Sequence, residues 1–150
     1  MPIYRMFEGL SKSEIDRIFD LGVIRPISEG ELIFRKGDVG HEMFVILTGK
    51  VDIVDDLGEN VGIVAELAPG EVLGEMAIFE KSHKRSAHAL AREPSQVLVL
   101  SANMLNELLE QEIPKRFLIN IIGLLCNRLR ITNSMYMRAK YADKRGPRVK

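Results

Sequence analysis

Met43-Phe44-Val45-Ile46-Leu47-Thr48-Gly49-Lys50-Val51 decides the fold class of this chain. An apolar run with no charge in it meets a glycine, and a second short apolar stretch follows at once. The length suits a strand, and the glycine suits a turn that a Cβ would strain. The same punctuation recurs on both sides. Residues 31–35, 43–47, 50–54, 61–66, 86–91 and 96–100 are short apolar stretches, with Gly30, Gly37, Gly40, Gly49, Gly58 and the Pro69-Gly70 pair between or beside them. Many short strands with closely spaced turns predict an antiparallel sandwich or roll.

Helical periodicity flanks this region. Residues 7–21 read as a helix, with Ser11 and Glu14 spaced as a capping box and Ile15, Ile18 and Phe19 as its apolar stripe. Residues 104–110 form a short helix, and Pro114 suits the first turn of a longer one reaching about Tyr141. In that helix Phe117, Ile121, Leu124, Ile131 and Met135 make one stripe, interrupted by Arg128. Leu118, Ile122, Leu125, Leu129, Thr132 and Tyr136 make a second, adjacent one. The combined surface is wider than one docking face needs. One stripe can lie on the strands while the other pairs with a second copy, or both can bury within the monomer.

The chain has 150 residues, 46% hydrophobic and 28% charged, which fits one domain with a proper core. Zero net charge supplies no global attraction to nucleic acid or membrane. From Cys126 on, eight basic residues face Asp143 alone, so the end is a basic tail. One cysteine excludes an internal disulfide, suits a reducing cytoplasm and, in an apolar run, is expected to be buried and inert. The most apolar run, 117–126, is too short to span a bilayer.

The chemistry concentrates in Leu73-Gly74-Glu75-Met76-Ala77-Ile78-Phe79-Glu80-Lys81-Ser82-His83-Lys84-Arg85-Ser86-Ala87-His88. Gly74 lets the backbone approach a ligand. Residues 75–79 can open a helix whose free N–H groups favour an anion. Glu75 can accept from sugar hydroxyls, and Arg85 can hold a phosphate through two parallel N–H contacts. Ser86 and Ala87 are small enough to let the backbone close on the same anion.

This segment resembles the phosphate-binding cassette of the cyclic nucleotide-binding domain family, in the Arg-Ser-Ala form of bacterial catabolite-activator-like proteins. The resemblance places Glu75 on the ribose, Arg85 on the phosphate, and Ala77 and Ser86 against the phosphate. His88 departs from the Ser or Thr of many relatives, which favours cAMP over cGMP. Phe34-Arg35-Lys36-Gly37-Asp38 resembles the family's first turn, residues 43–51 its hairpin, and Leu67-Ala68-Pro69-Gly70 the approach to the cassette. Gly37, Gly49 and Gly70 match its structural glycines. Asn127-Arg128-Leu129-Arg130-Ile131-Thr132-Asn133 is similar to the long helix of catabolite activators. There Thr132 falls on the adenine-contacting Thr, and Asn133 replaces a Ser.

The resemblance implies a mainly β, antiparallel jelly-roll or β-roll (double-stranded β-helix) with an N-terminal helix and a long C-terminal helix. Residues 1–141 are expected to be one domain, with the roll at about 23–101 and the C-terminal helices at about 102–141. Residues 142–150 are expected to be a disordered tail. The expected function is a non-catalytic, cytoplasmic regulatory module for a cyclic nucleotide, cAMP before cGMP. Its expected ligand residues are Gly74, Glu75, Met76, Ala77, Arg85, Ser86, Ala87, Thr132 and Asn133. No catalytic residue, metal, nucleic acid or membrane partner is expected. A homodimer through the long helix and a separate downstream protein are. The helix-turn-helix that follows the long helix in catabolite activators has no counterpart in residues 141–150, and the chain can equally be a piece of a longer protein. Two competing readings are a cupin-type metalloenzyme and an interaction module that has lost its ligand. The spacing of His41, His83 and His88 does not fit a cupin metal set. The retention of Glu75 and Arg85 opposes ligand loss.

Overall fold

A computed structural model describes residues 5–55, 57, 62–79, 81–110 and 115–145. A 3-10 turn at Arg5–Phe7 precedes helix α1, Lys12–Leu21. Eight strands follow: β1 Val23–Ile27, β2 Leu32–Phe34, β3 Glu42–Thr48, β4 Val51–Val54, β5 Ile63–Leu67, β6 Val72–Leu73, β7 His88–Ala91 and β8 Ser95–Ser101. One helical turn, α2 (Met76–Phe79), lies between β6 and β7, and α3 (Ala102–Glu110) and α4 (Lys115–Arg145) close the described chain.

The strands form two four-stranded antiparallel sheets, in the orders β1-β8-β3-β6 and β2-β7-β4-β5. This is the β-roll with flanking helices that the sequence predicts. The apolar run of β3 now has its reason. Met43, Val45 and Leu47 face the helices, packing with Ile18, Leu105, Phe117 and Ile121. Phe44 and Ile46 face the other sheet, packing with Val51, Leu67, Ala89 and Ala91. A strand buried on both faces needs apolar residues at every position. β8 repeats the pattern, with Leu98 and Leu100 toward the helices and Val97 and Val99 between the sheets.

Residues 43–51 are not a paired hairpin. β3 pairs with β6 and β8, whereas β4 pairs with β5 and β7, so the chain passes from one sheet to the other at Gly49. Gly49 sits at φ +95°, and a Cβ there would collide with Ser95, whose Oγ accepts from Lys50 N–H at 3.2 Å. A close crossing of chains, rather than a tight ladder turn, requires this glycine. Gly37 and Gly70 also have positive φ, at +88° and +92°.

The N-terminal helix is shorter than expected. Phe7 belongs to the 3-10 turn, Gly9 at φ +80° separates it from α1, and the helix starts after Ser11. The capping box is present, with Glu14 N–H donating to Ser11 Oγ and Ser11 N–H to Glu14 Oε1. β1 and β6 were not among the expected strands. Val23 and Ile24 are exposed, and β6 has two residues, so neither shows a readable alternation.

On α4, Phe117 and Ile121 are buried against the roll, and Asn120 Nδ2 donates to the carbonyls of Met6 and Glu8. Beyond this docked half the helix separates from the core. Leu129, Ile131, Met135 and Tyr136 are exposed, so the two stripes do not both bury within the monomer. Cys126 is exposed, not buried. It falls outside both stripes, about half a turn round the helix from the buried Phe117. α4 continues through Arg145, so the first four residues of the tail expected at 142–150 are helical instead, and Pro114 and residues 146–150 lie outside the described residues.

Candidate ligand-binding site

Arg85 is the centre of the site. It is only 6% exposed, yet among the described residues no carboxylate lies within ion-pair distance of it. Its Nη1 donates to Gly74 O at 2.9 Å. Its guanidinium lies 4.4 Å from the centre of the Phe34 ring and 5.6 Å from that of Phe44. Burial pulls its pKa below the ordinary arginine value, and the fields of Glu42, Asp38 and Glu75 oppose the shift. A guanidinium keeps its charge even so, and carries five donors. The remaining donors are available to an anion, whose arrival would offset the cost of a buried, unpaired charge.

Two glycines make room for it. A Cβ on Gly74 (φ +79°) would come within 2.8 Å of Arg85 Nη1, and one on Gly40 would overlap the guanidinium. The space beside Gly74 is therefore filled by Arg85 rather than kept for a ligand. Backbone pairing fixes the arginine from below: Arg85 N–H donates to Asp38 O, and Gly37 N–H to Arg85 O, both at 2.8 Å.

Glu75 is 7% exposed. Its Oε2 accepts from Met76 N–H at 3.3 Å and its Oε1 from Arg128 Nη1 at 2.9 Å. Arg128 also donates through Nη2 to Val72 O. The guanidinium of α4 thus ties that helix to the acid at the head of the cassette. In the sequence Arg128 interrupts an apolar stripe and belongs to the stretch similar to the catabolite-activator helix, with no site role assigned to it. A lone charge inside a docking stripe was the available signal.

These groups open on one cavity of about 440 Å³, within the usual range for small-molecule sites. Gly74, Glu75, Met76, Ala77, Arg85, Ser86, Ala87 and Thr132 all line it. Asn133, one position further round α4, is exposed and does not. A residue step turns a helix by a little over a quarter of a circle, which carries Asn133 away while Thr132 faces in. Phe34, Ile53, Val64, Ala65, Leu125 and Leu129 supply an apolar wall. Asp55 stands at the edge, its Oδ1 2.6 Å from Lys36 Nζ. The Lys36 hydrogen bond and charge hold its carboxyl below the ordinary range. His88 does not line the cavity; its Nδ1 accepts from Lys36 N–H at 3.0 Å.

The cavity thus brings together the Arg85 guanidinium, the Glu75 carboxylate, an apolar lining and the hydroxyls of Ser86 and Thr132. That set of groups suits a ligand with an anionic, a hydroxyl-bearing and a flat apolar part. Among the described residues no three His, Cys, Asp or Glu side chains converge as a metal set. None of their helices is long and apolar enough to cross a membrane.

Fold and site define a ligand-binding β-roll with a helix against its cavity. The chain belongs to the cyclic nucleotide-binding domain family, which matches residues 24–112. This domain is generally a regulatory, non-catalytic fold. The chain is similar to the Cyclic AMP receptor protein of Thermus thermophilus, 34% identical over 96 residues, covering 63% of this chain and 44% of that one. It therefore spans less than half the length of that relative. The crystal structure of the Thermus thermophilus Catabolite Activator Protein superposes with a TM-score of 0.78 at 29% identity, over 94% of this chain and 65% of that chain. A cyclic nucleotide-binding domain from Methylobacillus flagellatus gives 0.80 at 25% identity, over 89% and 76%.

Proposed function

We propose that this protein is a cAMP-binding sensor module and that its signal passes through α4. The observation that carries this reading is the buried Arg85, without a carboxylate partner among the described residues, facing a cavity whose other wall holds Glu75. Arg85, Ser86 and the backbone of 76, 77 and 87 take the cyclic phosphate. Glu75 accepts from the ribose 2′-hydroxyl, and Gly74 gives Arg85 its space. Thr132 meets the adenine edge, and the exposed Asn133 contributes less than its sequence neighbour. A Cyclic AMP receptor protein and a cAMP-dependent protein kinase regulatory subunit among the similar proteins support cAMP as the nucleotide to test first.

No residue has a catalytic role in this reading, and no metal is used. The module acts in the cytoplasm as a homodimer through the exposed half of α4, on a separate downstream protein. Residues 1–141 act as one domain. Calorimetry with cAMP and cGMP tests the ligand. Saturable cAMP binding, with cGMP weaker, is expected, and 2′-deoxy-cAMP should bind more weakly than cAMP. If wild type is weakened by the 2′-deoxy change but Glu75→Ala is hardly weakened further, both changes remove one contact. Absence of binding by either nucleotide leaves the interaction-module reading in its place.

A further inference from the structure

We infer that His83 is a positioning residue for Arg85, latching the loop between α2 and β7 so that the guanidinium faces the cavity. The inference rests on the proposed phosphate role of Arg85. His83 is the only non-glycine with positive φ among the described residues, at +53°. The left-handed region is costly for a residue with a Cβ, and such strain persists only where the surroundings over-determine it. Three contacts do so. The Nδ1 of His83 lies 2.5 Å from Ala77 O. A carbonyl only accepts, so Nδ1 carries the hydrogen and donates. The ring packs on His41, with centroids 4.7 Å apart and planes inclined by 49°. The carbonyl of His83 accepts from Gly40 N–H at 2.9 Å.

The consequence lies two residues on. Beyond His83 the chain pairs with residues 37–40, through the Val39–Lys84 bridge and the two Arg85 backbone hydrogen bonds. The same short segment contains Gly40, whose missing Cβ leaves the space that the guanidinium fills. His83 is thus the corner at which the loop leaves α2 and enters the pairing that aims Arg85. Its ring holds Ala77 on one side, and its backbone starts that pairing on the other. Ala77 and Arg85 both line the cavity. Alanine at 83 would lose the donor and gain no preference for the left-handed backbone. Asparagine tolerates that backbone and keeps an N–H donor, though on a shorter side chain.

The test compares wild type, His83→Ala and His83→Asn, each with Arg85 intact and with Arg85→Ala. Calorimetry with cAMP reads affinity, and amide hydrogen exchange of the nucleotide-free proteins reads the loop. His83→Ala should weaken cAMP about tenfold, which is about 1.4 kcal/mol. His83→Asn should recover most of that, and in the Arg85→Ala background the His83 effect should largely vanish. Exchange should quicken in His83→Ala at Gly40 and Arg85 but not at Leu98 or Leu100. Unchanged affinity in His83→Ala, or an equal loss with and without Arg85, would overturn the inference. If His83→Ala does not fold, His83→Asn decides: near-wild-type affinity and exchange uphold the latch, and a loss as large as that of Arg85→Ala overturns it. If wild type binds no cyclic nucleotide, the proposed function fails separately, and exchange at Gly40 and Arg85 alone judges His83.

Discussion

Arg85 carries two burdens at once, filling space between Phe34, Gly74 and Gly40 and presenting charge to the cavity. Replacing it with alanine leaves a desolvated phosphate without its partner, which costs roughly 2–5 kcal/mol. The expected loss in cAMP affinity is about 30- to several-thousand-fold by calorimetry. Arg85→Lys should also bind more weakly, because a point charge cannot make two parallel contacts. Wild-type affinity in Arg85→Ala would show that the phosphate lies elsewhere. A second residue-scale effect sits far from the site. Asp52 on β4 is directly opposite Glu66 on β5, and its carboxylate lies 2.5 Å from Arg92 Nε. Burial raises the Asp52 pKa above its ordinary value, Arg92 opposes the shift, and Glu66 adds to it. A raised carboxyl pKa means the folded state holds its proton more firmly than the unfolded chain. Its stabilising contribution is complete at low pH and is lost as pH rises through the folded value. Glu66→Gln removes the opposing charge, so less is lost. Its melting temperature should exceed wild type at pH 7, by about 0.2–1 kcal/mol of stability, and by less at pH 4. An equal gain at both pH values would exclude the charge pair as the cause.

At the scale of elements, α4 is a helix of two halves. Its first half is fixed by Phe117, Ile121 and the Asn120 hydrogen bonds to the N-terminal turn. Its middle is held by one ion pair, Arg128 to Glu75, and by the Arg128–Val72 hydrogen bond. That ion pair ends on the acid proposed to read the ribose, so a nucleotide would share a carboxylate with the helix. A ligand moves a conformational equilibrium only by contacting its states differently, and this shared carboxylate provides such a contact. Saturating cAMP is expected to raise hydrogen-exchange protection across residues 121–136. Unchanged exchange there, with binding confirmed calorimetrically, would reduce α4 to a passive wall.

At the scale of the whole molecule, the roll is complete without a partner, but the far half of α4 is not. Leu129, Ile131, Met135, Tyr136 and Tyr141 are exposed along it, Leu129 by 59% and Tyr136 by 63%. A second copy of the same helix would cover them by self-complementary packing. Sedimentation should therefore find a homodimer. Met135→Glu should shift it to monomer without lowering the melting temperature of the roll, since Met135 touches neither core cluster. A wild-type monomer at all concentrations would refute the dimer.

What the sequence determined by itself was local. The capping box of Ser11 and Glu14, the glycine turns at Gly37 and Gly70 and the spacing from Gly74 to Ala87 depend on neighbours a few residues apart. They were legible for that reason, and the punctuation showed six of the eight strands, β1 and β6 lacking a readable pattern. The tertiary structure decided what depends on residues distant along the chain. It sent β3 and β4 to different sheets, because a run buried on both faces must lie between the helices and the second sheet. It brought Arg128 to Glu75 across 53 positions and set Gly40 beneath Arg85. It turned Thr132 into the cavity and Asn133 and Cys126 out to solvent. Periodicity specifies a helix, but the angle at which that helix meets the roll selects the residues that face the cavity, and that angle is a property of packing.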